Sequence, residues 1–406
     1  MLKILIVGVS VRAIVDSAVH SGYPIVALDA FGDLDLRARA ESYSLHHDFH
    51  TPYSSSALYA SSRNLSFDAL SYTSNLENHA ETLSSFAAKH KIIGNSPEVI
   101  KAVRCWANLF ANLERAGFSV PKTIFSWDKE KVDYGRRWLI KPTLSGGGQG
   151  IAWLQTERFP SDSFMLQEYI PGKSCSASFV ANGRECVLIG VAEQLVGVSQ
   201  FGSQGFRYCG NILPFPEVLD HGTGTTILEK VRNLTTFLTR EYCLTGVNGI
   251  DFIISDNRIY LTEVNPRYSA SMELIEQAYG LPVFHLHVQA VLEGRLPKLE
   301  LEPLLKSGQF YGKGILYAEN DVTIPDTQGW QARCIRDVPA TGEKIPMGGP
   351  VCTIFADCPN YSLTIGELIS RAGILREEIY GQAEFNFDNR TLYQTRHRNL
   401  NREGEL

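Results

Sequence analysis

Gly249-Ile250-Asp251-Phe252-Ile253-Ile254, the tight turn Ser255-Asp256-Asn257, and Tyr260-Leu261-Thr262-Glu263-Val264-Asn265-Pro266-Arg267 together decide how this chain reads. Two apolar runs joined by so short a turn form a β-hairpin. Side chains two apart on a strand share a face. Glu263 and Asn265 therefore project together, and antiparallel pairing can bring Asp251 alongside Glu263. Two carboxylates and a carboxamide on a rigid hairpin make an oxygen site suited to Mg²⁺ held between protein and phosphate. Arg267, two residues past Asn265, can deliver a fixed cation to the same place. The alternative is an acid-rich hairpin with solvated carboxylates. Asp251 counts against it, because a carboxylate within the apolar run GIDFII needs a partner.

Upstream, the apolar strand Trp138-Leu139-Ile140-Lys141-Pro142 delivers a lysine, and Ser145-Gly146-Gly147-Gly148-Gln149-Gly150-Ile151 comes after it. In such a loop backbone N–H groups approach phosphates with no Cβ in the way, and lysine supplies a mobile point charge. The spacing is neither a P-loop nor GxGxxG before a helix; a glycine-rich hairpin turn is the plainer alternative. Between the two motifs lies Met165-Leu166-Gln167-Glu168-Tyr169-Ile170-Pro171-Gly172. It suits an adenine slot in which backbone groups read the purine edge and Ile170 covers a face, although it also reads as a plain strand-to-turn passage.

The length, 406 residues, suggests two to four domains at roughly 100–200 residues each. The composition, 44% hydrophobic and 20% charged, is that of a soluble globular protein. A net charge of −6 without a long basic run argues against nucleic-acid binding. The eight cysteines form no CxxC pair, which predicts reduced thiols in a cytoplasmic protein. The apolar start, Leu2 to Val9, lacks a basic n-region and a cleavage site and reads as a buried first strand. No apolar run approaches the roughly 20 residues a bilayer crossing needs.

Residues 1–100 alternate strand and helix signals: strands over 3–8, 23–29, 67–72 and 91–94, and a helix over 13–21. This βαβ rhythm predicts an open parallel sheet, with ligands beyond the carboxyl ends of its strands. That rim carries Ser10, Arg12, Asp29, Asp33, Ser74, Asn75 and Glu77. Arg12 is a candidate partner for a substrate carboxylate or phosphate and Glu77 for a substrate amine; a surface arginine and a solvated acid at a helix start are the alternatives. Ser269, just past Arg267, joins the substrate candidates, and Ser271 is expected to cap a helix from Met272. One helix is expected over 97–117, a linker over 297–305, and a mostly β unit over 308–390 with one helix near 365–372. His285 and His287, two apart in a helix, read as packing or surface residues rather than ligands, and Cys352 as buried.

The hairpin, the lysine with its glycine loop and the adenine segment, in this order, resemble the ATP-grasp superfamily. The layout is similar to biotin carboxylase and the carboxylate–amine ligases, and most of all to the group described as predicted ATP-dependent carboligases; Ser10-Val11-Arg12, Leu28-Asp29, Gly32-Asp33 and Asn265-Pro266-Arg267 add to that likeness. The resemblance implies an α/β (α+β) chain with a pre-ATP-grasp parallel-sheet domain over 1–100. An ATP-grasp domain over 101–300, with a lid at about 122–165, a mostly β domain over 301–395 and a tail over 396–406 complete it. It implies ATP and one or two Mg²⁺ ions, for which Mn²⁺ would also serve, held by Asp251, Glu263 and Asn265. Lys141 would contact the α/β-phosphates, and Ser145, Gly146, Gly147, Gly148, Gln149 and Gly150 would close over them. Gln167, Glu168 (through its backbone) and Ile170 would frame adenine, and Arg267 would steady the acyl phosphate or the oxyanion, making Lys141 and Arg267 the catalytic pair.

Two positions depart from the family's pattern. Trp106 stands where a second nucleotide-binding lysine is usual, and Arg104 is taken as its substitute. Ser174 stands near the usual ribose-binding glutamate. The implied activity is an ADP-forming ligase that phosphorylates a small-molecule carboxylate and joins it to an amine, with no nucleic-acid or membrane partner and a homodimer as the default assembly. Bicarbonate activation is an alternative, against which stands the lack of a Met-Lys-Met biotinyl site. A regulatory module with a degenerate nucleotide site is another.

Overall fold

The computed structural model describes residues 2–125, 132–155, 163–220, 222–305 and 308–381. The tail expected over 396–406 lies outside the described residues.

The unbroken apolar runs near the N-terminus become strands buried on both faces. β1 (Ile4–Val7), β2 (Ile25–Asp29), β3 (Glu41–Ser44), β4 (Ala69–Tyr72) and β5 (Lys91–Ile92) form a parallel sheet in the order β3-β2-β1-β4-β5. β2 and β4 flank β1 on opposite sides, so the chain changes direction across the sheet at the carboxyl end of β1. Open α/β sheets bind ligands at such a switch point. Helix Arg12–His20 comes after β1 and buries Ile14, Val15 and Ala18.

A small antiparallel sheet is next: β6 (Thr123–Ile124), β7 (Trp138–Pro142), β8 (Ala152–Trp153) and β9 (Phe164–Glu168), in the order β6-β9-β7-β8. Its core is Ile124, Val132, Trp138 and Leu166. The largest sheet comprises β10 (Lys173–Asn182), β11 (Cys186–Val196), β12 (Tyr208–Leu213), β13 (Thr245–Ser255), β14 (Arg258–Asn265) and β15 (Phe310–Tyr317). After the short pair β16 (Val322–Thr323) and β17 (Lys344–Ile345), β18 (Pro350–Cys358) completes the order β14-β13-β10-β11-β12-β15-β18. The C-terminal stretch thus continues the central sheet through β15 and β18. Helix Tyr361–Tyr380, begun by the Asn360 side chain accepting from the Leu363 N–H, packs Leu368, Ala372 and Leu375 into the adjoining core.

Three local expectations change. The helix expected over 97–117 is two, Pro97–Val103 and Trp106–Arg115, with Arg104 at the break. The linker expected over 297–305 holds helix Leu301–Leu305. Ser269 rather than Ser271 stands at the start of helix Ala270–Tyr279, because its extended backbone (φ −116°, ψ 163°) is the last non-helical residue. His287, on helix Val283–Glu293, is buried. Its Nδ1 accepts from the Val247 N–H at 2.9 Å and its Nε2 donates to the Ile93 carbonyl at 3.0 Å, so one imidazole ties the central sheet to the N-terminal unit. Gly246 leaves room for it: a Cβ there would stand 2.3 Å from Nδ1.

Candidate active site

The hairpin of β13 and β14 pairs Asp251 with Glu263 and Gly249 with Asn265. The register then slips, Phe252 facing Leu261, so Thr262 is an extra residue on β14. Such a bulge interrupts the ladder locally. Here the Thr262 carbonyl receives the Lys141 Nζ at 3.0 Å, and its hydroxyl returns to the Asp251 carbonyl at 3.0 Å. The bulge thereby fixes the lysine of β7 beside the two acids.

Asp251 is held from both sides: Oδ1 accepts from Gln194 Nε2 at 2.8 Å and Oδ2 from Asn265 Nδ2 at 3.0 Å. Glu263 Oε1 accepts from Arg104 Nη1 at 2.8 Å. Burial and then the Glu263 charge push the Asp251 carboxyl up to about 7. Burial also pushes Glu263 up, but Arg104 and Lys141 outweigh it and hold that carboxyl below its usual range. Burial lowers the Lys141 ammonium against the pull of Glu263. Two facing carboxylates, one of them starved of positive charge, fit a divalent cation. Asp251 and Glu263 would hold it, with Asn265 as a neutral oxygen donor once its Oδ1 leaves Arg267 Nη2, 3.3 Å away. Oxygen donors of this kind are what Mg²⁺ takes.

Trp106 stands where the resemblance expects a second lysine, and two cations lie over its ring: Arg104 at 4.6 Å and Lys141 Nζ at 5.0 Å from the centroid. Cations over an indole face are attracted by its quadrupole. The helix break at Arg104 turns its guanidinium onto Glu263, so the positive charge comes from two residues earlier.

A cavity of about 1120 Å³ runs over this constellation, lined by Lys141, Asp251, Glu263, Asn265 and Arg267. Ser145, Gly146, Gly147, Gly148 and Gln149 line its roof, as does Ile151, whereas Gly150 packs against Pro142, whose Cγ would stand 2.9 Å from an added Cβ. The roof is docked: the Tyr208 N–H donates to the Gly147 carbonyl at 2.9 Å. At Gly148 (φ +73°) a Cβ would lie 1.9 Å from the Phe206 carbonyl oxygen, so only glycine allows this approach. Gln167, Glu168 and Ile170 also line the cavity. The Glu168 N–H, however, is already given to the Lys122 carbonyl at 2.8 Å, and its carboxylate pairs with Arg136. Ser174 and Ser176 line the wall where a ribose contact is expected.

Two expected substrate residues are placed otherwise. Glu77 is 1% exposed and is the counter-ion of Arg267: its Oε1 accepts from Nε at 2.9 Å and Nη2 at 2.6 Å. It serves the arginine from beneath, where it cannot receive an amine. Arg12 does line the cavity, but its donors are taken. Its Nε and Nη2 reach Asp337 at 2.9 and 3.0 Å, and Nη1 and Nη2 reach Glu273. Lys313 of β15 completes the cluster on Glu273. Ser269 lines the cavity, its hydroxyl 3.3 Å from that of Ser271. Glu273, Lys313 and Asp337 are not singled out by the sequence. The signal available was a lone lysine in the strand Phe310-Tyr311-Gly312-Lys313-Gly314-Ile315, a cation that burial would force to find an acid.

Residues 107–271 match the family model of the ATP-grasp domain. A Methanocaldococcus jannaschii protein, MJ0776, described as uncharacterized, is 24% identical over 372 residues, covering 87% of this chain and 88% of its own. The carbamoyl phosphate synthase large chain of Clostridium perfringens is 24% identical over 204 residues, 46% of this chain and 18% of that one. Among solved structures, the biotin carboxylase domain of Hydrogenobacter thermophilus 2-oxoglutarate carboxylase, in complex with MgADP, ADP and bicarbonate, superposes with a TM-score of 0.69 at 15% identity, covering 91% of this chain and 89% of that one. The L-amino acid ligase of Bacillus licheniformis gives 0.65 at 14% identity, with 92% and 97% covered. At such identities the structural likenesses establish the fold: a mixed α/β chain of the ATP-grasp, biotin carboxylase-like type. Among the described residues no helix is long and apolar enough to cross a membrane.

Proposed function

We propose that this chain, built around its ATP-grasp domain, is an ADP-forming ligase that converts a substrate carboxylate to an acyl phosphate and passes the acyl group to an amine. The observation that carries this reading is the registered pair Asp251–Glu263, with Lys141 pinned beside it by the Thr262 bulge and Arg104 and Arg267 within the same shell.

A carboxylate is a poor electrophile until one oxygen becomes a phosphate leaving group. Phosphoryl transfer needs positioning and charge compensation more than covalent help. Lys141, on the cavity wall, would take up charge on the triphosphate, with Arg104 beside it on Glu263, and the docked glycine loop would offer backbone N–H groups and exclude water, which the acyl phosphate must not meet. Mg²⁺ held at Asp251, Glu263 and Asn265 would neutralise β- and γ-phosphate charge. Arg267, oriented by Glu77, is the donor for the carbonyl oxygen as it becomes an oxyanion. The amine nitrogen bonds to the acyl carbon, the carbon–oxygen bond to phosphate breaks, and the nitrogen's proton leaves with the phosphate.

Calorimetry of ATP binding with and without Mg²⁺, paired with ADP release screened over acids and amines, tests the proposal. Tight binding that depends on Mg²⁺, and release that needs both an acid and an amine, is the expected result. Release dependent on bicarbonate alone would replace it with carboxylation, and Mg²⁺-indifferent binding would remove the metal assignment.

A further inference from the structure

The cavity does not end at the phosphate site. It continues to the switch point of the parallel sheet, where Asp33, Asp337, Pro339 and Glu343 line it. This end is crowded with buried acids, and nearly all of them are served. Asp29 accepts from the N–H groups of Val11, Phe31 and Gly32. Asp35 accepts from the N–H groups of Asp337 and Val338 at 3.0 and 2.9 Å. Asp337 has Arg12 and the Thr353 hydroxyl, and Glu273 has Arg12 and Lys313.

Asp33 is the exception: Asp16 Oδ1 and Glu77 Oε2 also lack a hydrogen bond, but those two carboxylates are ion-paired with arginines. Asp33 lies four residues past the end of β2, opens the short helix Leu34–Arg37 without capping it, and is 8% exposed, yet its Oδ2 is buried with no hydrogen-bond partner. Burial, then Asp337, Asp29 and Asp35, raise its proton affinity well above a carboxylate's usual value, with Arg12 opposing only in part. A buried acceptor without a donor is costly, and like charges around it add to the cost. A water could supply the donor but not the charge. A protonated nitrogen supplies both.

We propose that this end of the cavity is a subsite for an organic amine that carries a second, protonated nitrogen, received by the Asp33 carboxylate. The inference rests on the amide-forming reading, whose nucleophile it specifies. A nitrogen must be unprotonated to attack an acyl carbon, whereas the nitrogen that answers a buried carboxylate stays protonated. With the two roles on different nitrogens, the substrate class is a diamine, a guanidinylated amine or a basic amino acid.

The test uses the full chain and calorimetric titration with 1,4-diaminobutane, agmatine and L-lysine, against 1,4-butanediol as a neutral match of similar length and against MgCl₂ and CaCl₂ alone. The cationic amines are expected to bind saturably and the diol not to. Asp33→Asn should weaken the amines by about tenfold or more, the scale of a lost charged hydrogen bond. Asp33→Ala should do the same, with circular dichroism and cooperative melting reporting that each variant is folded. Equal binding of amine and diol, undiminished amine binding by folded Asp33→Asn, or saturation by a divalent cation in place of the amines would overturn the proposal. ATP titrated into the same samples separates the two readings. Amine binding without Mg²⁺-dependent ATP binding sinks the ligase reading and leaves this subsite standing; ATP binding without amine binding does the reverse.

Discussion

The two ends of the cavity use the same residue types in opposite ways. At one, Arg12 is 1% exposed and its arms are divided between Glu273 and Asp337, acids from the ATP-grasp unit and the C-terminal stretch. Every donor is matched, and three parts of the chain meet at one guanidinium. At the other, Arg104 bonds Glu263 directly, Lys141 is pinned beside the acids at the cavity wall, and Asp251, pushed up to about 7, still lacks a cation of its own. The first arrangement is closed and holds parts together. The second is provisional, its internal pairs standing where ligands would. What separates an ion pair that builds from one that works is whether a ligand can replace one of its partners.

The contrast can be broken first at Arg12. Arg12→Met should cost about 3–5 kcal/mol, because half-buried Asp337 loses its cation and buried Glu273 is left with Lys313 alone; urea unfolding measures it, and a loss below about 1 kcal/mol would show the cluster is not structural. Glu263→Gln should do the opposite: melting near that of the wild type, with ATP turnover down about 10²–10³-fold. Full activity in that variant would remove the metal assignment. His287 offers a third case, a buried titratable group held by backbone hydrogen bonds to Val247 and Ile93. Burial holds its imidazole down at about 4 against an ordinary 6.5. A depressed base favours folding above its unfolded value, so this contribution is complete above about pH 6.5 and is lost as pH falls toward 4. At 1.36 kcal/mol per unit it amounts to about 3 kcal/mol. The stability gap between wild type and His287→Gln should narrow by that amount over the same window in urea titrations; a constant gap would refute the neutral assignment. The smallest effect belongs to Arg104→Met, which should weaken ATP by about tenfold, the scale of one charged hydrogen bond, as read by calorimetry. Unchanged affinity would show that Lys141 alone carries the charge.

Much of the site is local in the chain, and that part is legible from sequence. The hairpin's turn is short, so the facing of Asp251 and Glu263 follows from strand alternation. Lys141 and its glycine loop are contiguous. The parallel sheet announces itself through apolar runs at βαβ spacing. The illegible part depends on contacts distant in sequence. Glu77 and Arg267 lie 190 residues apart and Arg12 and Asp337 lie 325 apart, and no periodicity encodes such meetings. Glu77 and Arg12 look like substrate residues for that reason: a charged rim residue seems available until its partner is known. The break at Arg104 is equally hidden, since no proline or glycine marks it. It is visible only as the guanidinium's turn toward Glu263.

The continuity of the largest sheet has a consequence for how the protein can be divided. β12 pairs with β15 from Gly210–Gly314 to Leu213–Tyr311, and the backbones approach so closely that a Cβ on Gly210 would lie 1.9 Å from the Lys313 carbonyl oxygen. A fragment ending near Leu305 would strip β12 of that neighbour and leave a row of open amides and carbonyls, an invitation to intermolecular strand addition. The strands before Leu305 and the C-terminal stretch therefore share one sheet, to be expressed, crystallised or evolved together.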